Sequence, residues 1–260
     1  PIYEPGLHEL VNRNVQSARL SFSSDVNKSI EDADIIFIAV GTPEGENGAS
    51  DLTAVLEVAR AIGKNLNSYK VICTKSTVPI GTGAEISKII NETSNNSIEF
   101  DYVSNPEFLR EESFLEDCAN QDRILIGGDP NDAIILKEFY ESVFVGIPVF
   151  TMDSTMAETV KYVTNSFLAV KVSYANEIAS LCRAKNIDYN QVIEIATLDS
   201  RLGNSHWAVP GPDGKKGFGG TCFPKDILSL INQFETEKID SYILKAAWER
   251  NSKVDRPKEE

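Results

Sequence analysis

The stretch Ile35-Ile36-Phe37-Ile38-Ala39-Val40-Gly41-Thr42-Pro43 decides the fold class. Its apolar run is too short for an ordinary helix, is rich in β-branched residues and stops at Gly and Pro, which predicts a strand. The run is continuous rather than alternating, so both faces are covered, as in a parallel sheet packed between helices. The sequence downstream repeats the theme. Asp51–Leu66 reads as a helix with Leu52, Val55, Leu56, Ala59 and Ile62 on one face. A strand at Val71-Ile72-Cys73-Thr74 leads through the turn Val78-Pro79-Ile80-Gly81-Thr82 to a helix at Ala84–Asn91. Further strands are expected at Tyr102-Val103-Ser104, Ile124-Leu125-Ile126 and Pro148-Val149-Phe150, with a helix at Ala133–Val143 between the last two. Apolar strands alternating with helices predict an α/β fold with a mostly parallel, doubly wound sheet. Such sheets bind ligands beyond the carboxyl ends of their strands, which singles out the turns after Val40, Thr74 and Ser104.

After Met152 the pattern becomes helical. Met156, Val160, Val163, Phe167, Val170, Tyr174 and Leu181 recur three and four apart, an apolar stripe along one long helix. Leu168, Val172, Ala175 and Ala179 line a second face, so this helix is expected to lie buried between partners, one of them a second subunit. Lys161 and Asn165, four apart, neighbour each other on that second face. Charge there is costly unless it is paired or used; the alternative is a lysine snorkelling at the helix margin. Arg201–Lys216 reads as a loop, and the polar tail Asp255–Glu260 as frayed. The boundaries expected are a sheet domain over 1–151, a helical domain over 152–254 and the start of a linker over 255–260.

Within the helical part, Gly217-Phe-Gly-Gly-Thr-Cys-Phe-Pro-Lys-Asp226 places Cys222 two residues before Pro224 and ahead of the apolar run Ile227–Ile231. Proline favours the first helical turn, so Cys222 is expected at a helix N-terminus, where unpaired N–H groups and the helix dipole favour a thiolate. Lys225 adds a cation. A packing cysteine is the plain alternative, but it would require neither the glycines nor Lys225 and Asp226. The arrangement points to a nucleophile.

Composition narrows the remaining classes. Of 260 residues 42% are hydrophobic and 25% charged, as in globular proteins, and no apolar run approaches the roughly 20 residues of a membrane span. A net charge of −14 disfavours nucleic acid and anionic membranes as partners. Cys73, Cys118, Cys182 and Cys222 are widely separated, which argues against a zinc site or disulfide framework and fits the reducing cytoplasm. With only His8 and His206, neither a Ser-His-Asp triad nor a multi-histidine metal site is expected, and no metal is assigned.

Several motifs, in order, resemble the UDP-glucose/GDP-mannose dehydrogenase family. They are Pro1-Ile2-Tyr3-Glu4-Pro5-Gly6-Leu7, Val40–Pro43, Ser76-Thr77-Val78-Pro79-Ile80-Gly81-Thr82, Asn105-Pro106-Glu107-Phe108-Leu109-Arg110-Glu111, the helix with Lys161 and Asn165, Arg201-Leu202-Gly203 and the Cys222 loop. The resemblance implies a Rossmann-like NAD domain, then a helical dimerisation domain. It also implies NAD-dependent, four-electron oxidation of a primary alcohol to a carboxylate. By that resemblance Cys222 holds the carbonyl carbon covalently, Lys161 stabilises the oxyanion, Asn165 donates beside it, and Asp226, Glu107 and a water ordered by Thr77 move protons. Gly41, Thr42, Pro43, Ser76, Thr77, Glu111 and Lys225 would contact NAD. Phe108, Leu109, Arg110, Lys161, Asn165, Phe218 and Gly219 would line the nucleotide-sugar side, and Arg201 would reach a neighbouring subunit's substrate in a homodimer built on helix 154–185. Glu107 and Glu111 would share a face if Pro106 began a helix; first-turn acids serving only the helix dipole are the alternative.

The Gly-x-Gly-x-x-Gly loop that seats the pyrophosphate in this family is not in the sequence, nor is the family's third domain. The chain therefore reads as a piece of such an enzyme, with weak NAD binding expected on its own. The Cys222 motif favours UDP-glucose over GDP-mannose or a UDP-N-acetylhexosamine. A non-catalytic dimerising module and a cofactor-free thiol hydrolase or transferase are the readings from other classes.

Overall fold

The computed structural model describes residues 4–94, 98–110 and 113–257. In chain order the elements are α1 (Leu7–Gln16), α2 (Val26–Asp32), β1 (Ile35–Ile38), α3 (Thr53–Asn65), β2 (Lys70–Thr74), α4 (Thr82–Thr93), β3 (Phe100–Ser104), α5 (Phe114–Ala119), β4 (Ile124–Gly127), α6 (Ala133–Val143) and β5 (Val149–Met152). Then follow α7 (Ser154–Ala184), α8 (Tyr189–Ala196), α9 (Phe223–Thr236) and α10 (Tyr242–Arg250). The chain divides into two units. The first comprises Pro1–Thr42 and Leu52–Lys161; the second comprises Pro43–Asp51 and Tyr162–Glu260.

The first unit is an α/β unit built on one five-stranded sheet in the order β1-β2-β3-β4-β5. β1, β2 and β3 run parallel and in register, so that Ile38, Thr74 and Ser104 end side by side. β4 and β5 are also parallel to each other, but β4 meets β3 antiparallel through the single pair Ser104–Gly127. The sheet is mixed at that one junction. An antiparallel neighbour needs no crossover helix packed on the sheet, and among the described residues the connection after β3 is mostly irregular, with only the short α5 in it.

Side chains along a strand alternate between faces, and β2 shows how this splits the core. Ile72 joins Ile38, Val55, Ala59, Ile62, Ile86 and Ile90 beneath α3 and α4. Val71 and Cys73 point the other way, joining Val103, Ile124, Ile126, Leu136 and Tyr140 beneath α6. Both faces are covered, the doubly wound arrangement. Each fully buried Ile contributes about 1.5–3 kcal/mol of transfer free energy. The helix pair α3–α4 depends on Gly63: a Cβ there would lie 2.0 Å from Thr93 Oγ1 and 2.7 Å from the Ile90 carbonyl, so alanine's better helix propensity could not be realised. Lys70, 1% exposed, donates from Nζ to the Glu31 and Ala33 carbonyls (3.0 and 2.6 Å) and so closes the C-terminus of α2.

The second unit is helical, with a core of Ala169, Phe218, Ile227, Ile231 and Ala247 flanked by Val170, Val172, Phe223, Leu244 and Trp248. On α7 the second face is indeed covered: Ala175 and Ala179 are buried, Leu168 and Val172 half-buried. The first stripe is not. Met156, Val163, Phe167, Tyr174 and Leu181 are each more than half exposed in the single chain. The tail is ordered further than its composition suggests. A wider helical turn continues through Asn251–Asp255, the Asp255 carboxylate pairs with Arg250 at 3.0 Å, and Arg256 pairs with Asp213 at 2.6 Å. Paired charges hold what hydropathy alone reads as frayed. Residues 258–260 of that tail lie outside the described residues.

Candidate active site

In the first unit, the candidate groups gather at the carboxyl ends of β1, β2 and β3. The Thr42 hydroxyl donates to the Thr77 carbonyl (2.8 Å), and the Ser76 hydroxyl donates to the Val40 carbonyl (2.6 Å), tying the two turns together. A Cβ built on Gly41 would meet nothing within 4 Å, so its backbone borders open space. A cavity of about 10 Å³ is lined by Thr74, Ser76, Thr77, Ser104, Glu158 and Lys161, with Val78 and Pro106. That is room for about one water.

Beyond β3, Asn105 is 1% exposed and fully bonded. Its N–H donates to the Thr74 carbonyl, its amide donates to the Leu125 carbonyl, and its Oδ1 accepts from Tyr140 and Lys75. This anchors the segment that follows. Pro106 does not begin a helix: residues 105–110 are irregular, because Glu107 Oε2 turns back to accept from the Leu109 N–H (2.5 Å). Glu111, the partner expected on the same face as Glu107, lies outside the described residues, as do Pro1, Ile2 and Tyr3 of the first motif.

Lys161 is buried, and its Nζ donates to the Glu107 carbonyl (2.5 Å) and carboxylate (3.1 Å). It is therefore a paired cation rather than a snorkelling one. Phe108 lies beside it, its ring centroid 5.3 Å from Lys161 Nζ and 4.1 Å from the Arg123 guanidinium. The Leu109 side chain is half-buried, whereas Arg110 is exposed and doubly bonded to Asp117, which holds the Asp117 carboxyl below its ordinary range. Lys75, half-buried and facing Asn105, is pushed down from the ordinary lysine range by loss of solvent.

The second unit holds the remaining groups. Cys222 is the N-cap of α9, with proline in the first turn, as its sequence predicts. The residue is exposed, and its Sγ lies 3.8 Å from Thr221 Oγ1. Cys73 contrasts with it: burial in the sheet core pushes its thiol up to about 12. One turn into α9, the buried Asp226 carboxylate accepts from Asn165 Nδ2 and from Lys225 Nζ, each at 2.6 Å. Amide and ammonium compensate a carboxylate that would otherwise be costly to bury.

The loop before Cys222 is clamped from behind. Asn251 accepts from the Phe218 N–H (2.8 Å) and donates to the Phe218 carbonyl (3.0 Å). Gly217 has φ 66°, and a Cβ there would sit 2.3 Å from Asn251 Oδ1, so only glycine permits the clamp. Phe218 is itself a core residue, 3% exposed, and Gly219 after it is half-buried; Gly220, Thr221 and Cys222 are the exposed residues of this loop. Pro43 is exposed, and Arg201 is exposed and paired with its neighbour Asp199. Lys171 donates to the Leu202 and Gly203 carbonyls (2.9 and 3.2 Å), fixing the loop that carries Arg201. Among the described residues no cluster of three or more His, Cys, Asp and Glu could hold a metal, and no helix is long and apolar enough to cross a membrane.

Sequence reasoning passed over Glu158, Asn105, Lys171 and Asn251. Glu158 had a usable signal: it lies three residues before Lys161, on the same face of α7.

Comparison with known proteins places these groups in context. Residues 1–144 match the model described as UDP-glucose/GDP-mannose dehydrogenase family, NAD binding domain, and residues 155–253 match the central domain of the same family. The chain is 42% identical over 253 residues to a UDP-glucose 6-dehydrogenase of Bacillus subtilis, covering 97% of this chain and 54% of that protein. It is 44% identical over 237 residues to the Rhizobium meliloti UDP-glucose 6-dehydrogenase, covering 89% and 53%. Among solved structures it resembles a UDP-glucose dehydrogenase from Pyrobaculum islandicum (TM-score 0.88, 39% identity, 95% of this chain and 56% of that one). A GDP-mannose dehydrogenase from Pseudomonas aeruginosa is also similar (TM-score 0.75, 32% identity, 97% and 58%). The chain thus spans about half the length of the curated relatives it matches.

Proposed function

Because this chain belongs to the UDP-glucose/GDP-mannose dehydrogenase family, we propose that it carries the reaction centre of an NAD-dependent UDP-glucose 6-dehydrogenase, which converts the C6 alcohol of UDP-glucose to the carboxylate of UDP-glucuronate. The observation that carries this reading is the exposed Cys222 at the head of α9, one turn before a buried Asp226 held by Asn165 and Lys225. UDP-glucose is favoured over GDP-mannose because relatives named for UDP-glucose are 42% and 44% identical, against 32% for the GDP-mannose enzyme.

The residues present fit a dinucleotide. Three parallel strands end in register, and the turns beyond two of them are bonded to each other beside open space at Gly41, where sheets of this kind take ligands. Gly41, Thr42, Ser76 and Thr77 would contact NAD from the first unit, Pro43 and Lys225 from the second, together with Glu111. When bound, NAD supplies the hydride acceptor for both oxidations, two equivalents per sugar. Glu107 or Asp226, or a water held by Thr77, accepts the proton of the C6 hydroxyl as the aldehyde forms. The Cys222 sulfur then adds to the aldehyde carbon, and Lys161 balances the charge on its oxygen while Asn165 donates a hydrogen bond to it. Loss of the remaining C6 hydrogen as hydride leaves a thioester on Cys222. Water attacks that carbonyl, the C–S bond breaks, and the carboxylate and free thiol are released. Phe108, Leu109, Arg110, Phe218 and Gly219 would line the sugar-nucleotide side.

The direct test uses the chain extended by the flanking segments that its relatives carry. About two NADH per UDP-glucose consumed is expected, the ratio that thioester formation requires. No NADH from a protein that folds and binds NAD would overturn the assignment.

We also propose a cytoplasmic homodimer. The widely spaced free cysteines support a reducing compartment. The exposed stripe Val163, Phe167, Tyr174 and Leu181 along α7 supports pairing with a second copy, to whose substrate Arg201 would reach. Sedimentation equilibrium at micromolar concentration is expected to return twice the chain mass; a monomer mass would sink the dimer.

A further inference from the structure

Glu158 is 4% exposed and has no role in the chemistry above, yet its carboxylate is fully engaged. Oε2 accepts from the Gly81 N–H (2.6 Å), and Oε1 accepts from the Gly83 N–H (3.0 Å) and the Ser104 hydroxyl (3.1 Å). One side chain of α7 therefore closes the N-terminus of α4, where an anion is favoured, and grips the last residue of β3. Three residues further along both segments, Lys161 grips Glu107. The two pairs, 158 with 104 and 161 with 107, form two rungs between the same helix and the same stretch of chain. Burial pushes the Glu158 carboxyl up from its ordinary range, and the three donors pull it back. An anion retained at such a place needs all three partners.

We propose that Glu158 is a positioning residue for Lys161. By locking the end of β3 and the head of α4 onto α7, it fixes where the Lys161 ammonium lies against Glu107. Ser104 is held in the sheet and Asn105 by its own bonds, so a single rung at Lys161 would still let α7 shift against that anchored segment; the second rung removes that freedom. The inference rests on the reading of Lys161 as the cation that balances the oxyanion, and its test separates the two.

The test compares Glu158→Gln with the unaltered protein, both extended by the relatives' flanking segments, below the variant's melting transition. Glutamine fills the same volume but presents an N–H group to donors. Acetylation of each lysine by N-hydroxysuccinimidyl acetate is followed by peptide mass analysis, with the exposed Lys88 as internal control. Labelling of Lys161 is expected to rise about tenfold, and kcat to fall about tenfold with KM for NAD unchanged, the scale of one lost charge-assisted hydrogen bond. Should Glu158→Gln fold poorly, Ser104→Ala removes one of the three bonds and is expected to raise Lys161 labelling about threefold. A lower melting temperature with unchanged Lys161 labelling in both variants would reduce Glu158 to a helix cap and overturn the proposal. Unimpaired turnover in Lys161→Ala would instead overturn the catalytic reading of Lys161, even where labelling responds to Glu158.

Discussion

In the Cys222→Ser variant, again in a chain with the flanking segments of its relatives, formation of the carboxylate is expected to fall about 10⁴-fold or more, roughly 5.5 kcal/mol of barrier. The replacement exchanges one atom on an exposed residue, so the melting temperature should not move. The chemistry changes far more than the packing. A cysteine is partly ionised near neutral pH and intrinsically nucleophilic, whereas serine requires an adjacent base. Without covalent capture the aldehyde has no thioester to become, and the second oxidation stops. The first half should survive: reduction of the C6 aldehyde by NADH is expected to continue near the unaltered rate. Undiminished carboxylate formation in Cys222→Ser would end the covalent mechanism.

Lys161→Ala is the second large effect. Its ammonium is buried and is held by two bonds to Glu107. Removing a preorganised partner of a developing oxyanion typically costs about 10²–10³ in kcat, and that range is expected here, with KM for the sugar changing less. A structural cost accompanies it, because Glu107 loses its ion partner, though partial exposure lets water take up part of the charge. Thermal melting measured beside kcat separates the two costs. A kcat within twofold of the unaltered protein would remove Lys161 from the mechanism.

Much of the sheet was legible because its signal is local. Ile35–Ile38, Lys70–Thr74 and Ile124–Gly127 are short apolar runs closed by turn residues, and they fold as such. Strand direction is not local: nothing in Ile124-Leu125-Ile126 records that β4 meets β3 antiparallel. The helix α7 was legible from its period, but period reports which residues are apolar, not what covers them. Phe167 and Tyr174 are accordingly exposed in the single chain while Ala175 and Ala179 are buried. Within the candidate site, Cys222 was placed correctly because proline and glycine punctuate the backbone at that point. Pro106 carries the same punctuation, yet residues 106–110 are irregular. A side chain, Glu107, competes for the Leu109 N–H that a helix would have used. Glu158 was missed for the opposite reason: a lone charge amid an apolar stripe looks marginal, and its three partners come from distant stretches of sequence.

The clamp of Asn251 on Phe218 joins the glycine loop before Cys222 to the turn that follows α10, thirty-three residues away in sequence. A glycine-rich loop would ordinarily open by itself, exchanging its amides with solvent on the timescale of local fluctuation. Here both hydrogen-bonding groups of Phe218 are spent on one amide side chain, so the loop cannot lift away without releasing that turn. The two segments are thereby tied into a single cooperative unit, so the position of the backbone leading to Cys222 depends on a turn far from it in sequence.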